Sequence, residues 1–190
     1  TELGRRCALK IMREDQVSDG AIVRFLREAR ISAQLDQPHA VAVYDSGVHE
    51  GVPYIVMELL EGDTLTELLE REQRLEQWEI VSIGLALADV LAKAHQIGIL
   101  HRDIKPSNVM LVRGSAGELH PKLLDFGISL LRDPWPEDLQ RRITDSRVLL
   151  GTPHYMAPER CRNFREASPA TDVYALGVVL YECAAGRLPV

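Results

Sequence analysis

The stretch GILHRDIKPSNVMLV, Gly98 to Val112, gathers an imidazole, two cations, a carboxylate and a carboxamide at His101, Arg102, Asp103, Lys105 and Asn108. Apolar runs at 99–100 and 109–112 flank them, and both read as short buried strands. A carboxylate beside cations and an amide can move a proton or hold an anion when rigid anchors make the groups converge. An ordinary hairpin loop with solvated charges has the same composition. The cluster by itself leaves both readings open.

Other groups stand in a fixed order around it. Lys10 lies in CALK on strand-like sequence, and Glu28 follows on a helix-like stretch. DFG comes at 125–127 and GTPHYMAPE at 151–159. This order resembles the eukaryotic-like, Hanks-type protein kinases, and HRDIKPSN, VMELLEGDTL and DVYALGVVLYE are most similar to bacterial serine/threonine protein kinases. The resemblance extends over essentially the whole chain. Taken singly, a strand lysine is ordinarily a snorkelling surface residue and a helix glutamate a solvated charge. The motifs in register argue against that.

The resemblance implies roles residue by residue. Lys10 holds the α- and β-phosphates of ATP and is fixed by an ion pair with Glu28. Asp103 is the catalytic base, and Lys105 neutralises the transferring γ-phosphate. Asn108 and Asp125 coordinate Mg²⁺, or Mn²⁺ in its place; such ions take a few oxygen ligands together with phosphate. His101 packs against Phe126 and stays outside the catalytic set. Met57 lies at the back of the adenine pocket, Glu58 and Leu60 offer backbone groups to the adenine edge, and Asp63 reaches the ribose. Ala8 and Met110 sandwich the ring. Asp172 steadies the backbone of the catalytic loop. Lys105 and Thr152 are what the serine/threonine branch carries, so the expected partners are proteins with Ser/Thr acceptors.

Control is implied as well. Residues 125–159 include a polar, proline-containing middle in which Thr144 and Ser146 are the candidate phosphate acceptors. Arg102 would capture that phosphate through charge-assisted bidentate bonds, and autophosphorylation within a kinase dimer would supply it. Thr152 is expected to bond Asp103 and Lys105 structurally. Two rivals stand against this reading. Aminoglycoside-type small-molecule phosphotransferases share the Asp and Asn but generally lack the HRD…K, DFG and APE segments. Pseudokinase or scaffold modules usually lose the lysine, base or metal aspartate, and all of these are present here.

Composition narrows the field further. A net charge of −6 leaves no basic excess for a general nucleic-acid binder, so no nucleic-acid partner is expected. Cys7, Cys161 and Cys183 are far apart, odd in number and in no metal-ligand spacing, and they read as reduced thiols of a cytoplasmic domain. No apolar run is long enough to span a bilayer, so no membrane contact is expected from this segment. In bacterial relatives a membrane anchor and sensor often follow such a domain.

The elements that must position these groups can be read coarsely. Residues 7–12 alternate, with Ala8, Lys10 and Met12 on one strand face. A helix is expected over 18–35, its stripe Ala21–Phe25–Glu28–Ser32 placing a carboxylate beside the apolar face. Strands follow near 40–44 and 53–58, joined by DSGVHEG as a turn. Thr64 and Glu67 fit a capping box. Trp78 to Gln96 reads as a long helix stopped by Gly98. A strand is expected at 121–125 and a helix buried on every side at 173–184. The expected fold is α+β and two-lobed, with a small β-sheet lobe carrying one helix and a mainly helical second lobe. Residues 1–60 would form the first lobe and hinge, and 61–190 the second. The family's glycine-rich phosphate loop and its later helices are not in this sequence. The chain therefore reads as a partial catalytic domain, truncated at both ends and inactive when isolated.

Overall fold

The computed structural model describes residues 4, 6–13, 15, 17–114, 118–126, 153–163 and 166–189. The small lobe is a three-stranded antiparallel sheet of β1 (Cys7–Ile11), β2 (Val43–His49) and β3 (Val52–Glu58), in the order β1-β3-β2. Register places Ala8 opposite Met57 and Lys10 opposite Ile55, so these four side chains share a face. Helix α1 (Asp19–Gln34) covers that face with Phe25 and Ala29, which pack on Ile55. The Ser18 side chain caps α1 by accepting from the amide of Ala21. The expected stripe is the buried one, since Phe25, Glu28 and Ser32 are all inward.

The expected turn DSGVHEG is largely strand. Asp45, Ser46 and Gly47 have turn chemistry, but pairing with β3 overrides it, and a register shift after Val43 absorbs the extra residue as a bulge. The turn contracts to Glu50 and Gly51, with φ of 49° and 82°. Two consecutive positive φ angles are what a two-residue hairpin requires to follow strand twist.

The larger lobe is built on helices α2 (Leu65–Glu72) and α3 (Gln77–Gln96), the short α4 (Pro158–Arg162) and α5 (Pro169–Ala185). A second antiparallel sheet joins β4 (Gly62–Thr64), β5 (Val109–Arg113) and β6 (Leu119–Leu123) in that order. The Thr64–Glu67 capping box starts α2. Leu65, Leu87, Val90, Val109, Leu123 and Val179 meet in one continuous core between α3, α5 and this sheet.

Residues 99–100 are not a strand. Gly98 takes φ +76° to end α3, and the amide of Ile99 turns back to the carbonyl of Ala94. Ile99 is buried as expected, but as an extended link with no strand partner. The expected strand at 121–125 lies two residues earlier, because Asp125 leaves the sheet at φ 38°. Among the described residues no helix is long and apolar enough to cross a membrane.

Candidate active site

The loop after α3 is pinned from beneath by one buried carboxylate. Asp172, in the first turn of α5, is 1% exposed. Its Oδ2 accepts from the amide of His101 and from His95 Nε2, both at 2.9 Å, and its Oδ1 accepts from the amide of Arg102 at 2.8 Å. Three donors and the helix N-terminus offset the desolvation of the charge. Arg160 Nη1 donates to the Arg102 carbonyl at 2.7 Å, so Arg102 is held on both sides while its backbone sits at φ 70°. Non-glycine backbone in that region persists only where surrounding bonds over-determine it.

His101 connects this loop to the next strand. Its Nε2 donates to the Leu124 carbonyl at 2.9 Å, which leaves Nδ1 to accept from the amide of Asp103 at 3.3 Å. Full burial holds its pKa below the ordinary histidine value, and both bonds need the neutral ring. The ring also packs on Phe126, with centroids 4.8 Å apart and planes tilted by 58°.

Asp103, Lys105 and Asn108 converge. Lys105 Nζ lies 2.8 Å from Asp103 Oδ2, and Asn108 Nδ2 donates to the same oxygen at 3.1 Å and to the Asp103 carbonyl at 2.7 Å. With its amide nitrogen directed at Asp103, Asn108 presents its oxygen as the atom able to ligate a cation. The amide of Leu124 donates to the Asn108 carbonyl at 2.8 Å, which keeps Asp125 beside Asn108.

Lys10 closes the other side of the cleft. Its Nζ is 2.9 Å from Glu28 Oε1 and 2.8 Å from Asp125 Oδ1. Burial works against the ammonium, but the Asp125 and Glu28 carboxylates outweigh it and hold the Lys10 pKa above its ordinary value. The balance on Glu28 goes the other way. Burial raises its pKa above the usual glutamate value despite the neighbouring Lys10. The pair favours the lysine and costs the carboxylate because Glu28 is the more enclosed partner, with its side chain 11% exposed against 34%.

Two oxygen donors, Asn108 and Asp125, suit Mg²⁺, which keeps few protein ligands and completes its shell with phosphate and water. Among the described residues no group of three or more His, Cys, Asp or Glu could hold a metal ion.

Of the residues expected around adenine, Ala8 and Met57 face each other across β1 and β3, and Met110 lies in β5. Glu58 ends β3, and Leu60 lies in the connection to β4. Asp63 is in register with Leu111, and its Oδ2 accepts from Arg71 Nη2 at 2.9 Å. Thr144, Ser146 and Thr152, together with Gly127 of DFG, lie outside the described residues. Arg102 and Arg160 each have a buried Nε that no described residue meets. Burial, and in Arg102 the nearby guanidinium of Arg160 as well, lowers the pKa of both. Sequence reasoning missed Arg160, His95 and Lys122. A histidine in the last turn of α3 and an arginine in the last turn of α4 look like ordinary dipole-compensating cations.

The family model of the protein kinase domain matches residues 1–190. The serine/threonine-protein kinase PrkC of Bacillus subtilis is 38% identical over 188 residues, taking in 98% of this chain and 27% of the relative. PkaB of Streptomyces coelicolor, also a serine/threonine-protein kinase, is 41% identical over 187 residues, 96% of this chain and 43% of the relative. The crystal structure of the Mycobacterium tuberculosis PknI kinase domain matches with a TM-score of 0.71 at 30% identity, over 97% of this chain and 65% of that one. The chain thus spans less than half the length of these curated relatives.

Proposed function

The chain belongs to the protein kinase domain family, and from that membership we propose that it carries the phosphoryl-transfer site of an ATP-dependent serine/threonine protein kinase. The observation that carries the reading is the convergence of two sets of groups. Lys105 and Asn108 meet at one carboxylate oxygen of Asp103, Asn108 also bonds the Asp103 carbonyl, and Asp125 is bonded to a lysine that is itself bonded to Glu28.

Asp103 is placed to orient the acceptor hydroxyl and take its proton as the O–H bond breaks. The hydroxyl oxygen bonds to the γ-phosphorus while the bond to the bridging oxygen breaks, and ADP leaves with that electron pair. Lys105 offsets charge on the phosphoryl oxygens, and Lys10 positions the remaining phosphates. Bound Mg²⁺ supplies charge neutralisation at the phosphates, held by Asn108 and Asp125.

Lys105 and the names of the relatives support Ser/Thr acceptors in proteins. The hinge at residues 58–60 divides the two lobes, with Ala8, Met57 and Met110 around adenine, backbone groups of Glu58 and Leu60 at its edge, and Asp63 at the ribose. Paired with Arg71, Asp63 would have to exchange that partner to reach it. Arg102, with Arg160 beside it, captures a regulatory phosphate carried by Thr144, Ser146 or both, added between two copies. The need for ATP and the free thiols of Cys7, Cys161 and Cys183 support a cytoplasmic location.

The test is transfer of labelled phosphate from ATP to a generic protein substrate by the full-length protein. Asp103→Asn is expected to cut turnover by about a thousandfold with nucleotide affinity retained. Near-normal turnover in that variant removes Asp103 from the mechanism. ATP binding without transfer by the unaltered protein favours a pseudokinase.

A further inference from the structure

Among the described residues, and apart from the catalytic charges, one ion pair that is not fully exposed crosses from the small lobe to the large one. Lys122 Nζ lies 2.7 Å from Glu58 Oε2, with side chains 16% and 27% exposed. Glu58 is the last residue of β3, where the adenine edge is proposed to be read. Lys122 lies in β6, three positions before Asp125. In register it faces Met110, which in turn faces Thr64, so Lys122 rises from the same sheet face as the proposed adenine floor.

Both partners are tied to a third segment, residues 39–42. The amide of Glu58 donates to the Ala42 carbonyl at 2.8 Å, and Glu58 Oε2 accepts from the amide of Ala42 at 3.4 Å. On the other side the amide of Leu123 donates to the His39 carbonyl at 2.7 Å, and the amide of Val41 donates to the Leu123 carbonyl at 3.2 Å. His39 Nδ1 donates to the Pro121 carbonyl at 2.9 Å. Segment 39–42 therefore grips the end of β3 with one end and β6 with the other. The Lys122–Glu58 pair closes this chain of bonds into a ring.

We infer that Lys122 is a positioning residue that holds the adenine-reading end of β3 at a set distance from the metal-holding Asp125. Backbone bonds already join segment 39–42 to β6, so cohesion alone does not call for a charge there. An apolar pair would pack at least as well as a half-enclosed ion pair. What the charge adds is a direct hold on Glu58. The pair coexists with the Lys10–Glu28 and Lys10–Asp125 contacts, so it supports the assembled site and does not oppose it. The loop carrying Asp103 is bonded at His101 and Arg102 to Asp172 instead, and the backbone bond between Leu124 and Asn108 does not run through Lys122, so loosening the ring leaves the catalytic loop in place. Losing Lys122 should therefore weaken nucleotide binding and leave the chemical step nearly intact.

This inference rests on the kinase reading, and the experiment separates the two. In the full-length protein Lys122→Met, and independently Lys122→Gln, should raise KM and Kd for ATP about fivefold, with kcat within about twofold. KM for the protein acceptor should not move. Lys122→Arg should restore most of the affinity, and the exchanged pair Glu58→Lys with Lys122→Glu should bind ATP better than either single variant. A merely structural lysine would lower thermal stability and kcat without this split or rescue. Unchanged ATP affinity in both Lys122→Met and Lys122→Gln overturns the inference alone. Absence of ATP binding by the unaltered protein overturns the kinase reading and this inference with it.

Discussion

The two sides of the cleft are held by different means. Asp103, Lys105 and Asn108 stand on a loop whose backbone is bonded to a buried carboxylate, beneath which lies the continuous core of α3, α5 and the second sheet. Lys10 stands on a sheet whose buried core is Phe25, Ala29 and Ile55, and its position depends on charges contributed by α1 and by the residue after β6. On that sheet's other face Leu9 and Ile11 are exposed. One side is preorganised by packing and by backbone bonds that cannot be made elsewhere. The other is assembled by side-chain pairs that a rotation of α1 could break. A displacement of α1 would part Glu28 from Lys10 without touching the bonds from Asp172 to the loop.

Substitutions can break or sharpen that contrast, and the largest effect belongs to the preorganised side. Asp172→Ala leaves the amides of His101 and Arg102 without their acceptor, and should cost about 3–5 kcal/mol with loss of turnover. Denaturant unfolding followed beside activity checks this, and a loss below about 1 kcal/mol would mean the loop does not hang from Asp172. His101→Phe keeps an aromatic against Phe126 but removes the bonds to Leu124 and Asp103. It should cost about 1–3 kcal/mol, read in the same unfolding experiment.

On the small lobe the costs shrink. Gly51→Ala imposes a side chain at φ 82° with nothing near the new methyl, so only backbone strain enters. About 1 kcal/mol of stability should be lost with activity intact, and a thermal melt beside a turnover assay decides it.

The smallest effect on stability should come with a clear loss of function, at Glu28. Its folded pKa is raised, so the fold favours the protonated form. The stability Glu28 contributes is full below its ordinary pKa and is lost as pH rises through the folded value. At neutral pH the ionised group is therefore a cost, and Glu28→Gln should leave the melting temperature unchanged or slightly higher. Turnover should nevertheless fall, because the neutral amide holds Lys10 more weakly. In the unaltered protein turnover should decline as pH falls through the raised Glu28 pKa, and this acid limb should be absent from the Glu28→Gln profile. Lys10→Met should lower turnover through the same pair, so the double variant should lose less than the sum of the singles.

Much of this was legible along the chain. The alternation at 7–12 puts Lys10 on one strand face with Ala8 and Met12, and the stripe Ala21–Phe25–Glu28–Ser32 puts Glu28 beside the apolar face of its helix, because strand and helix periods dictate which side chains share a face; that the two residues meet was implied by the family resemblance. The DSGVHEG stretch reads as a turn because Asp45, Ser46 and Gly47 favour turns locally, while the five consecutive pairings of residues 45–49 with β3 outweigh that preference. Leu100 and Ile99 misled for a related reason, since a short apolar run has the same pattern whether it finds a strand partner or lies extended in a core.

The sequence by itself determined which groups the site contains and their order, and kept Asp103, Lys105 and Asn108 within reach of one another, since five residues of loop cannot separate them far. The family resemblance implied that Asp172 steadies their loop, and tertiary structure decided through which bonds it does so. Asp172 meets the amide of Arg102 from 70 positions away, and Lys122 meets Glu58 across 64. An acid in the first turn of a helix and a lysine on a strand look solvated in sequence. Which donors surround a buried carboxylate, and which charges face each other across a cleft, follow only from how the helices and sheets pack, because desolvation and hydrogen bonding depend on neighbours distant in the chain.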